Sequence, residues 1–203
     1  MTWDNLIARL NIEGTLDPCP RASIDALQSA LHFRLPSQYR EFCELLGPGL
    51  IAEQIRIFCP GNRYQEAEFR SQVTRNNALS SVDEEIDFAI QRRDVDAVGK
   101  YVSLKELLMH SFIFGHTLNA SFFLWDLSSA SPSDDDYDIL LVVGLFDGAF
   151  DSSGGALSVG RGFRFFIQDF CFAREHFDRE IPHRSDRNLV EESQFRRFRA
   201  MSK

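Results

Sequence analysis

Apolar residues recur along this chain with two periods, and the change from one to the other divides it. Near the start, Trp3, Leu6, Ile7 and Leu10 fall at i, i+3, i+4 and i+7, one face of a helix. Residues 15–22 hold two prolines around Cys19 and read as a loop. Ile24, Leu27 and Leu31 predict a second helix, capped by Ser23. Leu35-Pro36-Ser37 breaks the chain, because proline drives the residue before it out of helical conformation. A third helix follows, capped by Ser37, with Tyr39, Phe42, Cys43 and Leu46 at helical spacing. Gly47-Pro48-Gly49 ends it: glycine accepts the left-handed terminal position, and proline cannot continue the helix.

Ile55 to Phe58 reads as a short strand stopped by Pro60-Gly61, and residues 62–76 are expected to be helical. Ser81-x-x-Glu84 has the form of a capping box opening a new helix, with Val82, Ile86, Ala89 and Ile90 inward. Ser103-x-x-Glu106 has the same form, with Val102 and Leu107 as its hydrophobic staple, and predicts a helix from Leu104 to His110. Then the period shortens. Phe112 to Gly115 and Ala120 to Trp125 predict an antiparallel hairpin turned at residues 116–119. Residues 128–136 form a polar loop. Tyr137 to Leu145 is the strongest strand, and its Ile139-to-Val143 run suits a central position. Residues 151–155 read as a turn and 156–159 as a short strand. Phe163, Phe166, Ile167 and Phe170 return to helical spacing. Asn188-x-x-Glu191 predicts a last helix, with Phe195 and Phe198 inward and Arg196, Arg197 and Arg199 outward.

Helices, then closely spaced strands, then helices again define an α+β fold. N-terminal helices pack on an antiparallel sheet of about four to six strands, with further helices after it. The strand connections are too short for helical crossovers, which take about a dozen residues or more.

Composition narrows the class. Hydrophobic residues at 44% and charged residues at 26% are ordinary for a globular domain. The 19 phenylalanines are spread along the chain and read as core material. No stretch approaches the ~20 apolar residues of a membrane-spanning helix. The first residues lack a basic region followed by an apolar core, so the expected location is cytoplasmic. Cys19, Cys43, Cys59 and Cys171 include no C-x-x-C pair, and each sits among or beside apolar residues. They read as small buried hydrophobes, so no disulfide, metal or cofactor is expected.

Charge sharpens the partner class. Residues 1–160 hold 12 Lys and Arg against 23 Asp and Glu, whereas residues 161–203 hold 10 against 7. So acidic a body repels phosphate backbones and disfavours nucleic acid. A basic protein partner fits it better, because complementary charge speeds encounter. Asp83, Glu84, Glu85 and Asp87 sit at an expected helix start, where acids oppose the helix dipole. Asp134, Asp135 and Asp136 lie in a loop without that local reason and are the candidate partner-binding residues. Catalytic patterns are weak. There is no G-x-S-x-G elbow, and the glycines from Gly154 to Gly162 lack the Lys-Ser/Thr of a P-loop. His176, Asp178, Glu180 and His183 match no metal-ligand spacing, and His110 and His116 flank an apolar hairpin.

Several segments together carry a family resemblance. Residues 24–31, then Phe33-Arg-Leu-Pro-Ser-Gln-Tyr-Arg-Glu-Phe42 and Leu45-Leu-Gly-Pro-Gly-Leu50, resemble the opening of SUKH-superfamily (Smi/Knr-like) domains. Phe122-Phe-Leu-Trp-Asp-Leu127, Tyr137-Asp-Ile139 and Gly162-Phe-Arg-Phe-Phe-Ile-Gln-Asp-Phe170 resemble later family segments, in family order. The resemblance spans residues 22–172. It implies an α+β domain over residues 1–172 that binds another protein without an active site. In that family the binding proteins include bacterial immunity proteins that neutralise toxins, some of them nucleases, and fungal regulators of cell-wall synthesis. The expectation is therefore an immunity-type binding protein, the alternative being an intracellular regulator or scaffold with an endogenous partner. Residues 62–100 exceed a minimal member as a helical insertion. Residues 173–203 form a charged extension, expected to be helical and docked, since Phe195 and Phe198 would otherwise lie exposed.

Overall fold

The computed structural model describes residues 3–61, 66–118, 121–131, 134–143, 156–171 and 197–201. The expected turn at 151–155, the capping box at Asn188 and the charged cluster from His176 to His183 lie outside the described residues.

The chain forms α1 (Trp3–Ile7), β1 (Asn11–Glu13), α2 (Arg21–Ala30), α3 (Ser37–Leu45), β2 (Gly49–Ile51) and β3 (Ile55–Ile57). The helical hairpin of α4 (Glu66–Arg92) and α5 (Val95–Met109) follows. Next come β4 (Ser111–Thr117), β5 (Phe122–Asp126), β6 (Asp138–Val142) and β7 (Ala156–Arg161). Last are α6 (Phe163–Phe165), which runs into a π-helical turn at Phe166–Cys171, and β8 (Arg197–Ala200). One eight-stranded sheet runs β1-β8-β2-β3-β4-β5-β6-β7. The β1–β8 pair is parallel and the other pairs are antiparallel. The α+β class holds, with more strands than expected because β1, β2 and β8 join the five that the pattern predicts.

Residues 197–200 correct the expected C-terminal helix. Arg197-Phe198-Arg199-Ala200 enters the sheet between β1 and β2. Alternation, not a helical period, sorts its side chains: Phe198 is fully buried, while Arg199 reaches outward to Glu53 at 2.6 Å and Glu13 at 3.5 Å. Residues 197–200 dock as a strand.

Helix starts also move. Ser23 and Ser37 lie inside α2 and α3, whose N-cap positions are Pro20 and Pro36 with no side-chain cap of their own. The box at Ser81 opens nothing, because α4 runs through it for 27 residues that include no glycine or proline. The second box is also internal. α5 begins after Asp94, whose carboxylate accepts from the Ala97 N–H at 3.0 Å. Ser103 donates back to the Gly99 carbonyl, and Val102 faces solvent, so no staple forms.

One sheet surface holds an aromatic core. Trp125 stacks on Phe114 at 4.7 Å and meets Tyr39 of α3 edge-on at 5.1 Å. Phe163, Phe166, Ile167 and Phe170, predicted as a set, are all buried, and the first three of Tyr39, Phe42, Cys43 and Leu46 fall on α3 as expected. The Tyr39 hydroxyl donates to the Phe58 carbonyl at 2.6 Å, so its burial leaves no orphan. α4 packs beside β4 with a buried stripe of small residues: Ala67, Ser71, Ala78, Val82 and Ala89. Ser71 Oγ accepts from the Ile113 N–H at 3.0 Å. The small stripe lets the helix come that close, and it leaves larger apolar residues of α4 pointing out.

Candidate functional site

The acidic loop has structural duties that its sequence does not announce. Asp135 Oδ2 accepts from the backbone N–H of Ser37 at 3.0 Å, and Oδ1 accepts from the Ser37 hydroxyl at 3.3 Å. A carboxylate from across the fold thus supplies the cap that α3 lacks locally. Asp136 accepts from Gln38 Nε2 at 3.2 Å and from the Phe163 backbone N–H at the start of α6. Gln38 Oε1 in turn accepts from the Arg164 N–H at 2.7 Å. The loop therefore ties the starts of α3 and α6 together.

Arg161 holds the loop from its other side. Its guanidinium donates to Asp134 at 2.8 Å, to Asp138 at 2.9 Å, and to the carbonyls of Asp136 and Ser129 at 2.8 and 3.2 Å. That hydrogen bond holds the Asp134 carboxyl below its usual range. Burial, and then the charge of Asp135, pushes Asp136 up. The structure thus brings Asp134, Asp135 and Asp136 together, and all three have partners within the fold. The premise that this loop has no local structural reason for its charge is corrected.

The other acidic group also changes meaning. Asp83 and Glu85 lie in the middle of α4, not at a helix start. Asp83 pairs with Lys105, and Glu85 accepts from the Tyr101 hydroxyl at 3.3 Å, so both fasten α4 to α5. Gly160, near the end of β7, and Gly162, just before α6, have positive φ, which accounts for glycine at both positions. His110 is the C-terminal cap residue of α5.

Exposed apolar surface concentrates on the helical hairpin instead. Seven of the eleven large hydrophobic residues exposed among the described residues lie on α4 and α5, including Phe69 at 63%, Phe88 at 51%, Ile90 at 56% and Val95 at 80%. Not every phenylalanine is core material. A groove of about 350 Å³ runs between α4 and the sheet, with Phe69, Arg70 and Val73 on one side and Phe58, His116 and Phe122 on the other. Burial, ahead of the Arg56 and Arg70 charges, lowers the His116 pKa. Its Nδ1 lies 3.0 Å from the Thr117 carbonyl, so the neutral ring carries its proton there and offers Nε2 as an acceptor. The groove combines apolar walls with a few polar groups, as recognition sites do. Sequence spacing missed it because Phe69 and Val73, at i and i+4, resemble any buried helical face.

A third grouping was also invisible in the sequence. Cys19, from the loop before α2, Cys43 of α3 and Cys59, just after β3, place their sulfurs within 4.8 Å of one another. All three are buried, and none is in a disulfide. Cys171 is buried apart from them.

Compared with models of protein families, with curated proteins and with solved structures, the chain matches none.

Proposed function

We propose that this protein is a non-catalytic binding module of the immunity type, which neutralises a toxin protein by direct contact through its α4–α5 hairpin. The observation that carries this reading is the apolar surface of that hairpin. Phe69, Val73, Phe88, Ile90 and Val95 remain exposed on a protein whose sheet core is otherwise closed. Phe69 and Val73, one turn apart on α4, lie together at the groove, and exposed apolar side chains grouped in this way mark interaction sites. The SUKH resemblance supports the same reading, since residues 62–100, which exceed a minimal member, hold α4 and the start of α5. The net charge of −8 supports a basic partner, drawn in by long-range attraction before apolar contact forms.

The direct test is functional. A toxin gene encoded beside this protein's gene, or a toxin captured by the protein, is expressed with and without it in a sensitive host. Growth restored by the protein, together with a stable complex of the two, supports the immunity reading. A complex that leaves toxicity intact, or a partner with no toxicity, moves the assignment to an intracellular regulator or scaffold.

A further inference from the structure

We propose that Cys19, Cys43 and Cys59 form a binding site for one thiophilic d10 cation, Cu(I), held as a three-sulfur complex inside the N-terminal half of the fold.

The geometry comes first. A metal at about 2.3 Å from three sulfurs in a trigonal plane holds those sulfurs about 4 Å apart. Here Cys43 and Cys59 sulfurs lie 3.7 Å apart, and all three lie within 4.8 Å of each other. The site needs only small side-chain movements to close on an ion. Its ligands come from three segments distant in sequence, yet backbone bonding already sets them in place. The Cys19 N–H donates to the Cys43 carbonyl at 2.8 Å, which fixes the loop against α3.

The donor set then selects the ion. Thiolates favour Cu(I), zinc and iron–sulfur clusters over hard cations. Structural zinc is almost always four-coordinate. Among the described residues no histidine or carboxylate joins the three sulfurs, and the surroundings include the buried Tyr39, whose hydroxyl is engaged by Phe58. Three soft ligands suffice for Cu(I). The dry setting also keeps oxidants and competing oxygen ligands away.

The same burial argues against a nucleophile. It pushes the thiols of Cys43 and Cys59 well up, so without a cation they stay protonated. Coordination releases one proton to solvent for each thiol that becomes a thiolate. Of the three, Cys19, in the segment before α2, is the most exposed, at 6%.

The test uses the full-length protein, reduced with a phosphine and kept anaerobic. Cu(I) is supplied as its coloured bicinchoninate complex, and loss of colour reports transfer. Wild type and Cys171→Ser should each withdraw one equivalent, and Cys19→Ser and Cys59→Ser should withdraw none. Near-ultraviolet circular dichroism checks that each variant folds. X-ray absorption of the copper-loaded wild type gives a second readout, with three sulfur neighbours expected. A parallel titration supplies Zn(II) from a coloured chelator. The proposal fails if wild type leaves copper with the chelator, or if Cys19→Ser binds like Cys171→Ser. It fails equally if fewer than three sulfurs surround the ion, or if zinc is taken up while copper is refused.

Discussion

Asp135 caps the helix that begins at Ser37, although 98 residues separate the two in sequence. The bond is 3.0 Å from the Ser37 nitrogen, and a second contact reaches its hydroxyl. Helix starts leave several N–H groups without intrahelical partners, and α3 follows a proline that offers no side-chain acceptor. Loss of such a cap costs about 1 kcal/mol. Asp135→Ala should therefore lower the unfolding free energy measured in urea by that amount and the melting temperature by about 2–4 °C. Ser37→Ala, which keeps the backbone N–H, should cost less. Equal stability of Asp135→Ala and wild type would remove the capping role.

The neighbouring carboxylates should respond to acid in opposite senses. Asp134 is held below its unfolded value by Arg161, so its contribution is present above the unfolded value and lost as pH falls through the lowered folded value. Asp136 is raised by burial, so the folded state binds its proton more readily. Its contribution is fully present at low pH and lost as pH rises through the raised value. Between about pH 5 and 3, around the usual carboxylate pKa, the melting temperature of Asp134→Asn should vary less than that of wild type. That of Asp136→Asn should fall more steeply on acidification. Calorimetric melts across this range check both signs, and parallel curves for all three proteins would contradict them.

The docked strand β8 depends on one glycine. A Cβ on Gly49 would lie 2.1 Å from the Cζ of Phe198, which is wholly buried across the β2–β8 pair and meets Phe42 at 6.1 Å. Phe198→Ala should cost about 3–5 kcal/mol, as a large aromatic lost from a core does. Gly49→Ala should also destabilise. Combining it with Phe198→Leu should cost less than the two single changes added, because leucine vacates the space the new methyl needs. Strict additivity in urea denaturation would show that the glycine matters for another reason.

Local pattern carried most of the core. Tyr39, Phe42 and Cys43 were legible because a half-buried helix repeats every 3.6 residues, and the β4–β5 hairpin was legible from its aromatic runs. Patterns that fit two structures misled. Phe195 and Phe198 stand three apart like a helix face, while the strand that claims Phe198 has only four residues in which to alternate. The capping boxes at Ser81 and Ser103 have the right letters, but nothing in the preceding residues stops a helix. Relationships across the fold left no trace in local pattern. Asp135 gives no hint of Ser37, and Cys43 is 16 residues from Cys59. The outward face of α4 was hidden for a different reason: its buried stripe is small, so the larger residues drew the eye.

The α4–α5 surface can be challenged without disturbing the core, since Phe69 is 63% and Val73 41% exposed. The most direct measurement is quantitative mass spectrometry of proteins captured from the native lysate. Wild type, a Phe69→Glu/Val73→Glu variant and Asp134→Asn serve as parallel baits, each first shown to melt cooperatively. The account predicts a basic protein captured by wild type and by Asp134→Asn, and lost with the double variant. Capture of the same protein by the double variant at wild-type yield would contradict it.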